Sequence, residues 1–314
     1  MHRAGATGLK ALIEISLRRK FCPDLGRAIS ESWVKSNAVP CVIDTSQPAA
    51  VKVAVADSYR TIFPGGDAGY VDRVFGWALD CFQGRYSDYL PIDARYHDLE
   101  HTLQGTMCMS RLLEGRHRRR AEPAMTERMH QLGIAAILLH DTGYLKHRFD
   151  DAGTGAKYTV THVNRSMDFA RTLLLQKGFT AVECQSVRNM IRCTGLNVNL
   201  GAIEFQSDLE RLMGHALGTA DLLGQMAAPD YPEKLSVLFA EFEESSRFSG
   251  QPGMFKSVDD LIVKTPGFWE KYVLPKANND FGGLYHFLED GTGRNVYLEN
   301  IERNIGRIMQ LKVA

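Results

Sequence analysis

Residues 127–143 read Glu-Arg-Met-His-Gln-Leu-Gly-Ile-Ala-Ala-Ile-Leu-Leu-His-Asp-Thr-Gly. Met129, Leu132, Ala136 and Leu139 recur at three- and four-residue steps, the period of one helix face. The spacing predicts a buried helix over Glu127–His140 that delivers His140 and Asp141 near its C-terminal end, just ahead of Gly143. Two polar, metal-competent side chains therefore close an otherwise apolar run.

The same period extends outward in both directions. Downstream, helices are expected over Val163–Lys177, stopped by Gly178, and over Ala181–Cys193, stopped by Gly195. Phe205, Leu209, Leu212, Met213, Ala216 and Ala220 trace one face of a long helix that reaches Asp221 and Met226. Further helices follow over Glu233–Glu244, Gly267–Val273 and Val296–Gln310. Upstream, Val55, Tyr59 and Ile62, then Val71, Val74, Phe75, Ala78 and Leu79, fall at helical spacing on either side of the turn-forming Pro64-Gly65-Gly66-Asp67. From Pro91 onward no segment shows sustained strand alternation, so the fold class is all-α, a multi-helix bundle. Residues 1–54 read as an N-terminal extension and connector, since Asn37–Ala50 carries Pro40, Ser46 and Pro48. Ile13, Leu17 and Phe21 within it fit an ordinary amphipathic helix rather than a targeting segment. Residues 55–314 form the helical domain.

The chain has 314 residues and is 44% hydrophobic, enough for a substantial core. Lys plus Arg equals Asp plus Glu at 37 each, so no global field draws it to nucleic acid or an anionic membrane. A small molecule or another protein is the expected partner. No uninterrupted apolar run approaches the roughly 18 residues needed to span a bilayer. The six cysteines, Cys22, Cys41, Cys81, Cys108, Cys184 and Cys193, fall singly, without a Cys-x-x-Cys pair, and no secretory signal is evident. Reduced cysteines in a cytoplasmic protein are expected.

Residues 95–102 read Arg-Tyr-His-Asp-Leu-Glu-His-Thr, with His97 and His101 four apart. That spacing puts both rings on one face of a helix. Together with His140, Asp141 and Asp221 they combine imidazole nitrogen and carboxylate oxygen, a donor set suited to zinc, manganese or iron, whereas carboxylates alone would suit magnesium or calcium. Adjacent residues on a helix diverge by roughly 100°, so His140 and Asp141 meet at one ion only if it lies between their directions or the helix ends there. Each signal alone has a plainer reading: a His-Asp dipeptide is common, Asp221 can be a surface carboxylate, and His97 with His101 can be a solvated face. It is their joint occurrence on separate apolar helices that points to a metal site.

Tyr96-His97-Asp98-Leu99-Glu100-His101-Thr102, His140-Asp141 and Ala220-Asp221 occur in the order of the motifs of HD-domain metal-dependent phosphohydrolases, and the chain most resembles the catalytic domain of cyclic nucleotide phosphodiesterases over about residues 90–275. Ile191–Thr194 and Gly267-Phe268 with Val273 and Pro275 are similar to further segments of that family. The resemblance implies an all-α phosphodiesterase-like bundle holding one or two divalent metal ions. The first ion, zinc, iron or manganese, would be held by His101, His140, Asp141 and Asp221; the second, magnesium or manganese, would be bridged by Asp141. His97 would act as general acid, and His162 or His147 would support the second ion or touch phosphate. Thr265 and Phe268 would line the substrate pocket, and the substrate would be a nucleotide or related phosphate ester. Three departures accompany the likeness. Asp98 replaces an Asn, Tyr144 stands where the family has a further His after His-Asp, and Thr265 stands where it has the Gln that holds a purine.

Other signals are weaker. Gly153-Thr154-Gly155-Ala156-Lys157 lacks the Gly before and the Ser or Thr after Lys that a P-loop needs. Arg116-His117-Arg118-Arg119-Arg120 is expected to be an exposed loop, and Phe268, Trp269 and Tyr272 can pack helices as well as line a pocket. The function expected is metal-dependent hydrolysis of a phosphodiester. The alternatives are a nucleotidase or other phosphomonoesterase, or a non-catalytic metal- or nucleotide-binding module, for which His97 would have no use.

Overall fold

The computed structural model describes residues 43–311. Among them ten α-helices and several short 3-10 and π turns account for the regular structure, with no strand and a single isolated bridge between Tyr89 and His147. The helices are α1 (Pro48–Ile62), α2 (Tyr70–Phe82), α3 (Leu99–Arg118), α4 (Glu127–Leu139), α5 (His162–Gln176), α6 (Ala181–Arg192), α7 (Asp208–Met226), α8 (Tyr231–Ser249), α9 (Val258–Phe268) and α10 (Val296–Leu311). The all-α expectation holds. Residues 1–42, with the amphipathic stretch around Leu17 and with Cys22 and Cys41, lie outside the described residues.

Local chemistry explains where these helices start. Asp98, Thr126, Ser207 and Ser257 each accept a backbone N–H of the first turn, and Thr180 with Glu183 closes a reciprocal capping box on α6. Pro48 begins α1, where its fixed φ suits the first turn. Residue 54 lies inside this helix. Arg116 and Arg118 belong to the last turn of α3, not to a loop. The Arg116 side chain is buried and donates to the Pro123 carbonyl, and cations there meet the negative helix end. The expected helix at Gly267–Val273 is the end of a longer one. It starts at Val258, capped by Ser257, runs through Pro266 and widens into π turns at Trp269–Val273 and Lys276–Asp280.

Helices α3, α4 and α7 form the centre, with α3 packed most extensively on α7. Ile134, Ile137, Leu138, Leu103, Leu112, Leu217 and Leu223 fill the space between them. The α3–α7 crossing depends on Gly224. A Cβ there would sit 2.9 Å from the Gln104 carbonyl and from the Gly105 Cα, so the backbones touch only because Gly224 has no side chain, whereas a Cβ on Gly105 would meet the Asp221 Cα at an ordinary 3.7 Å. His101 lies one turn before Gly105, and Asp221 lies one turn before Gly224. The close α3–α7 approach at Gly224 is thus the device that brings them together.

Candidate metal centre

Asp98, the first departure from the phosphodiesterase-like pattern, caps α3 by accepting the His101 N–H at 2.8 Å. Asn and Asp cap about equally well, so this exchange preserves the start of the helix that carries His101. Helix α4 ends at Leu139, and Asp141, with φ −106° and ψ 9°, opens a 3-10 turn over Thr142–Tyr144. This break, rather than a continued helix, lets adjacent His140 and Asp141 face one point. The turn is held from behind. Gly143 N–H donates to Ser166 Oγ at 2.8 Å, and a Cβ on Gly143 would lie 2.0 Å from the His162 carbonyl oxygen.

Four side chains converge. His101 Nε2 lies 3.3 Å from Asp141 Oδ2 and 3.3 Å from Asp221 Oδ1. His140 Nε2 lies 3.2 Å and 3.4 Å from the same two oxygens. The ligand atoms of His101, His140 and Asp141 all fall within 4.8 Å of one another, and the three residues are buried, so this cluster can hold a metal ion. Metal–ligand bonds of about 2.1 Å give ligand–ligand edges of about 3.0 Å at right angles and about 3.4 Å at the tetrahedral angle, which brackets the observed separations. His140 Nδ1–H donates to the Ile137 carbonyl at 2.7 Å, which leaves the Nε2 lone pair pointing forward. That Nε2 and Asp141 Oδ2 are buried with no hydrogen-bond partner among the described residues. Unsatisfied buried donors and acceptors are costly, and a cation shared between these two atoms would satisfy both. Burial opposes charge here, yet Asp141 and Asp221 have pKa values lowered by the two imidazoles, and His140 has one raised by the two carboxylates.

His97 stands beside the cluster rather than in it, its ring 5.2 Å from that of His101. Its Nδ1 is 2.6 Å from Glu241 Oε2, while Glu241 Oε1 accepts the Tyr96 N–H at 2.7 Å. Burial alone would lower the His97 pKa, but the Glu241 carboxylate overrides it and raises the value. Glu241 was not among the residues singled out from sequence. The signal was present, because Tyr231, Leu235, Leu238, Glu241 and Ser245 recur at helical steps and so place a carboxylate on the inward face of α8.

His162 opens α5. Its Nδ1 is 2.6 Å from the Thr159 carbonyl and its Nε2 is 3.9 Å from Asp141 Oδ1. Burial lowers its pKa. Tyr144 is fully buried, and burial raises its pKa well above the ordinary phenol value, so it supplies no anionic oxygen. Its ring instead lies nearly parallel to those of His97 and His162, at 4.6 and 4.9 Å. His147 is elsewhere: exposed, it stacks on Tyr89 at 4.3 Å and makes no contact with the cluster among the described residues. Thr265 is buried and its hydroxyl donates to the Leu261 carbonyl at 2.8 Å, whereas Phe268 stacks on Tyr272 at 5.1 Å. The four described cysteines are buried and free. No helix among the described residues is long and apolar enough to cross a membrane.

Fold and site together define an all-α bundle with a buried His/Asp cluster fit for a divalent cation. The chain belongs to the Npun_R2479-like family, whose model matches residues 51–308. No curated protein matches it.

Proposed function

We propose that this chain is an HD-type metal-dependent phosphohydrolase that cleaves a phosphate ester of a nucleotide or related small molecule. The observation that carries the reading is the pair of buried, unsatisfied atoms, His140 Nε2 and Asp141 Oδ2, converging with His101 and Asp221 at metal-ligand spacing. Those four residues would hold the first ion, of zinc, iron or manganese type. A divalent cation there supplies Lewis-acid charge to a phosphoryl group and a source of nucleophile at neutral pH. His97 Nδ1–H donates to Glu241, whose carboxylate favours the imidazolium form, and the second proton, on Nε2, is the one given to the leaving oxygen. Glu241 orients the ring and stabilises its charged form. His162, with Nε2 facing Asp141 Oδ1, is the side chain best placed to contact phosphate or to help hold a second ion of magnesium or manganese type.

One observation favours the monoesterase or nucleotidase reading over a cyclic-nucleotide diesterase: the buried, neutral Tyr144 phenol offers no anionic ligand to a second ion. Metal analysis of the purified protein followed by turnover on cyclic nucleotides, diesters and monoesters tests both levels. Metal-dependent release of a monoester or of phosphate is expected. Absence of any activating metal would overturn the proposal, and the preferred ester class decides between the two readings.

A further inference from the structure

A cleft of about 450 Å³ lies away from the His/Asp cluster. It lies on the other side of the Thr142–Tyr144 turn and is lined by Thr142 and Leu145 but by none of His97, His101, His140, Asp141 or Asp221. Its size is that of a small-molecule site.

Its walls are aromatic. Tyr86 and Tyr89 are each set edge-on to Phe169 at 5.3 Å, and His147 covers Tyr89. Its one basic side chain besides the histidine is Arg165, which is held rigidly. Arg165 Nε donates to the Gly143 carbonyl at 2.7 Å, Nη2 donates to the Leu145 carbonyl at 2.6 Å, and the guanidinium carbon sits 3.5 Å over the Tyr158 ring centre. No carboxylate pairs with it among the described residues, whereas the lining Asp168 is paired with Arg188 at 3.1 Å. Arginine has five N–H donors, so the remaining ones on Arg165 are a fixed, uncompensated anion receptor. Asp88 and Asp168 also line the cleft, and their charge works against a multiply charged ligand.

We infer that this cleft binds a small planar aromatic monoanion, a ring-bearing carboxylate whose ring lies against the wall formed by Tyr86, Tyr89 and Phe169 and whose carboxylate is received by Arg165. The inference is independent of the hydrolase reading, since no cluster residue takes part.

The test is calorimetric titration of the full chain, stripped of metal with chelator so that carboxylate binding to a cation is removed. Indole-3-acetate is the probe, tryptophol the uncharged counterpart and adenosine 5′-monophosphate the dianionic one. Indole-3-acetate is expected to bind one to one with Kd below about 1 mM, and tryptophol and the nucleotide about tenfold more weakly or worse. Arg165→Met should weaken binding by about tenfold or more. Because Arg165 also ties down the turn, Tyr89→Leu provides a second variant that leaves those carbonyl bonds alone and should weaken binding by about threefold or more. No saturable binding of indole-3-acetate by the wild-type chain, tryptophol or the nucleotide binding as tightly, or unchanged affinity in both variants would each overturn the assignment.

Discussion

At the level of single residues, the atoms that would bind metal are distinct from the atoms that would move a proton. His97 touches Glu241 and neighbours the cluster but is not within its ligand polyhedron. Its removal in His97→Ala should lower kcat by about 10²- to 10⁴-fold and leave metal content unchanged. Asp141→Ala should lose both, because Asp141 Oδ2 faces both imidazoles. Metal content and turnover measured on the same preparations check the pair, and equal metal loss in both variants would erase the distinction. The histidines and carboxylates of the cluster were legible in the sequence because they interrupt apolar faces. What was not legible is which atoms are orphaned, since this depends on the Ile137 carbonyl claiming His140 Nδ1. Glu241 escaped because its partner Tyr96-His97 is 144 residues distant in sequence for His97 and sits in irregular backbone with no periodic signal of its own.

At the scale of elements, the site depends on how closely two helices approach. Gly224→Ala would place a Cβ 2.9 Å from the backbone of Gln104 and Gly105, and neither backbone can yield without parting α3 from α7. It should cost about 1–3 kcal/mol and weaken metal binding by moving His101 away from Asp221. Gly76→Ala on α2, where a Cβ meets nothing within 4 Å, is the matched control and should leave metal affinity alone while stabilising slightly. Thermal melts with metal titrations of the two variants check this, and equal behaviour would show that the crossing does not position the site. Periodicity made α4, α5, α6, α7 and α10 readable to within a few residues. It failed at α9, whose start at Val258 it missed and where the Ser257-to-Asp260 cap was the better signal. It failed too for Arg116, whose neighbours read as a solvated basic run until Pro123 offers a carbonyl.

Across the whole molecule, a fully buried histidine, His130, and a partly buried one, His215, favour the neutral form. His130 is buried among Tyr59 and Phe63, with no hydrogen-bond partner for either ring nitrogen among the described residues, and burial pushes its pKa down to about 4. Burial likewise lowers His215 to about 4. Since these folded values lie below the unfolded value of about 6.5, the unfolded chain binds the extra protons. Their contribution is fully present above about pH 6.5 and is lost as pH falls toward 4, by on the order of 3 kcal/mol for His130. Denaturant unfolding across that range should show the loss, and His130→Phe should flatten it; an unchanged slope would contradict the assignment. The all-α fold, by contrast, follows from periodicity alone, because every long apolar run keeps the helical step. The claim on which the functional reading rests is that the His101, His140, Asp141 and Asp221 cluster holds a divalent cation. Its most direct test is the stoichiometry of manganese or zinc binding to chelator-stripped protein, wild type beside Asp141→Ala. About one or two tightly bound ions in the wild type and their loss in the variant are predicted; no tight binding in the wild type, or the same stoichiometry in both, would contradict it.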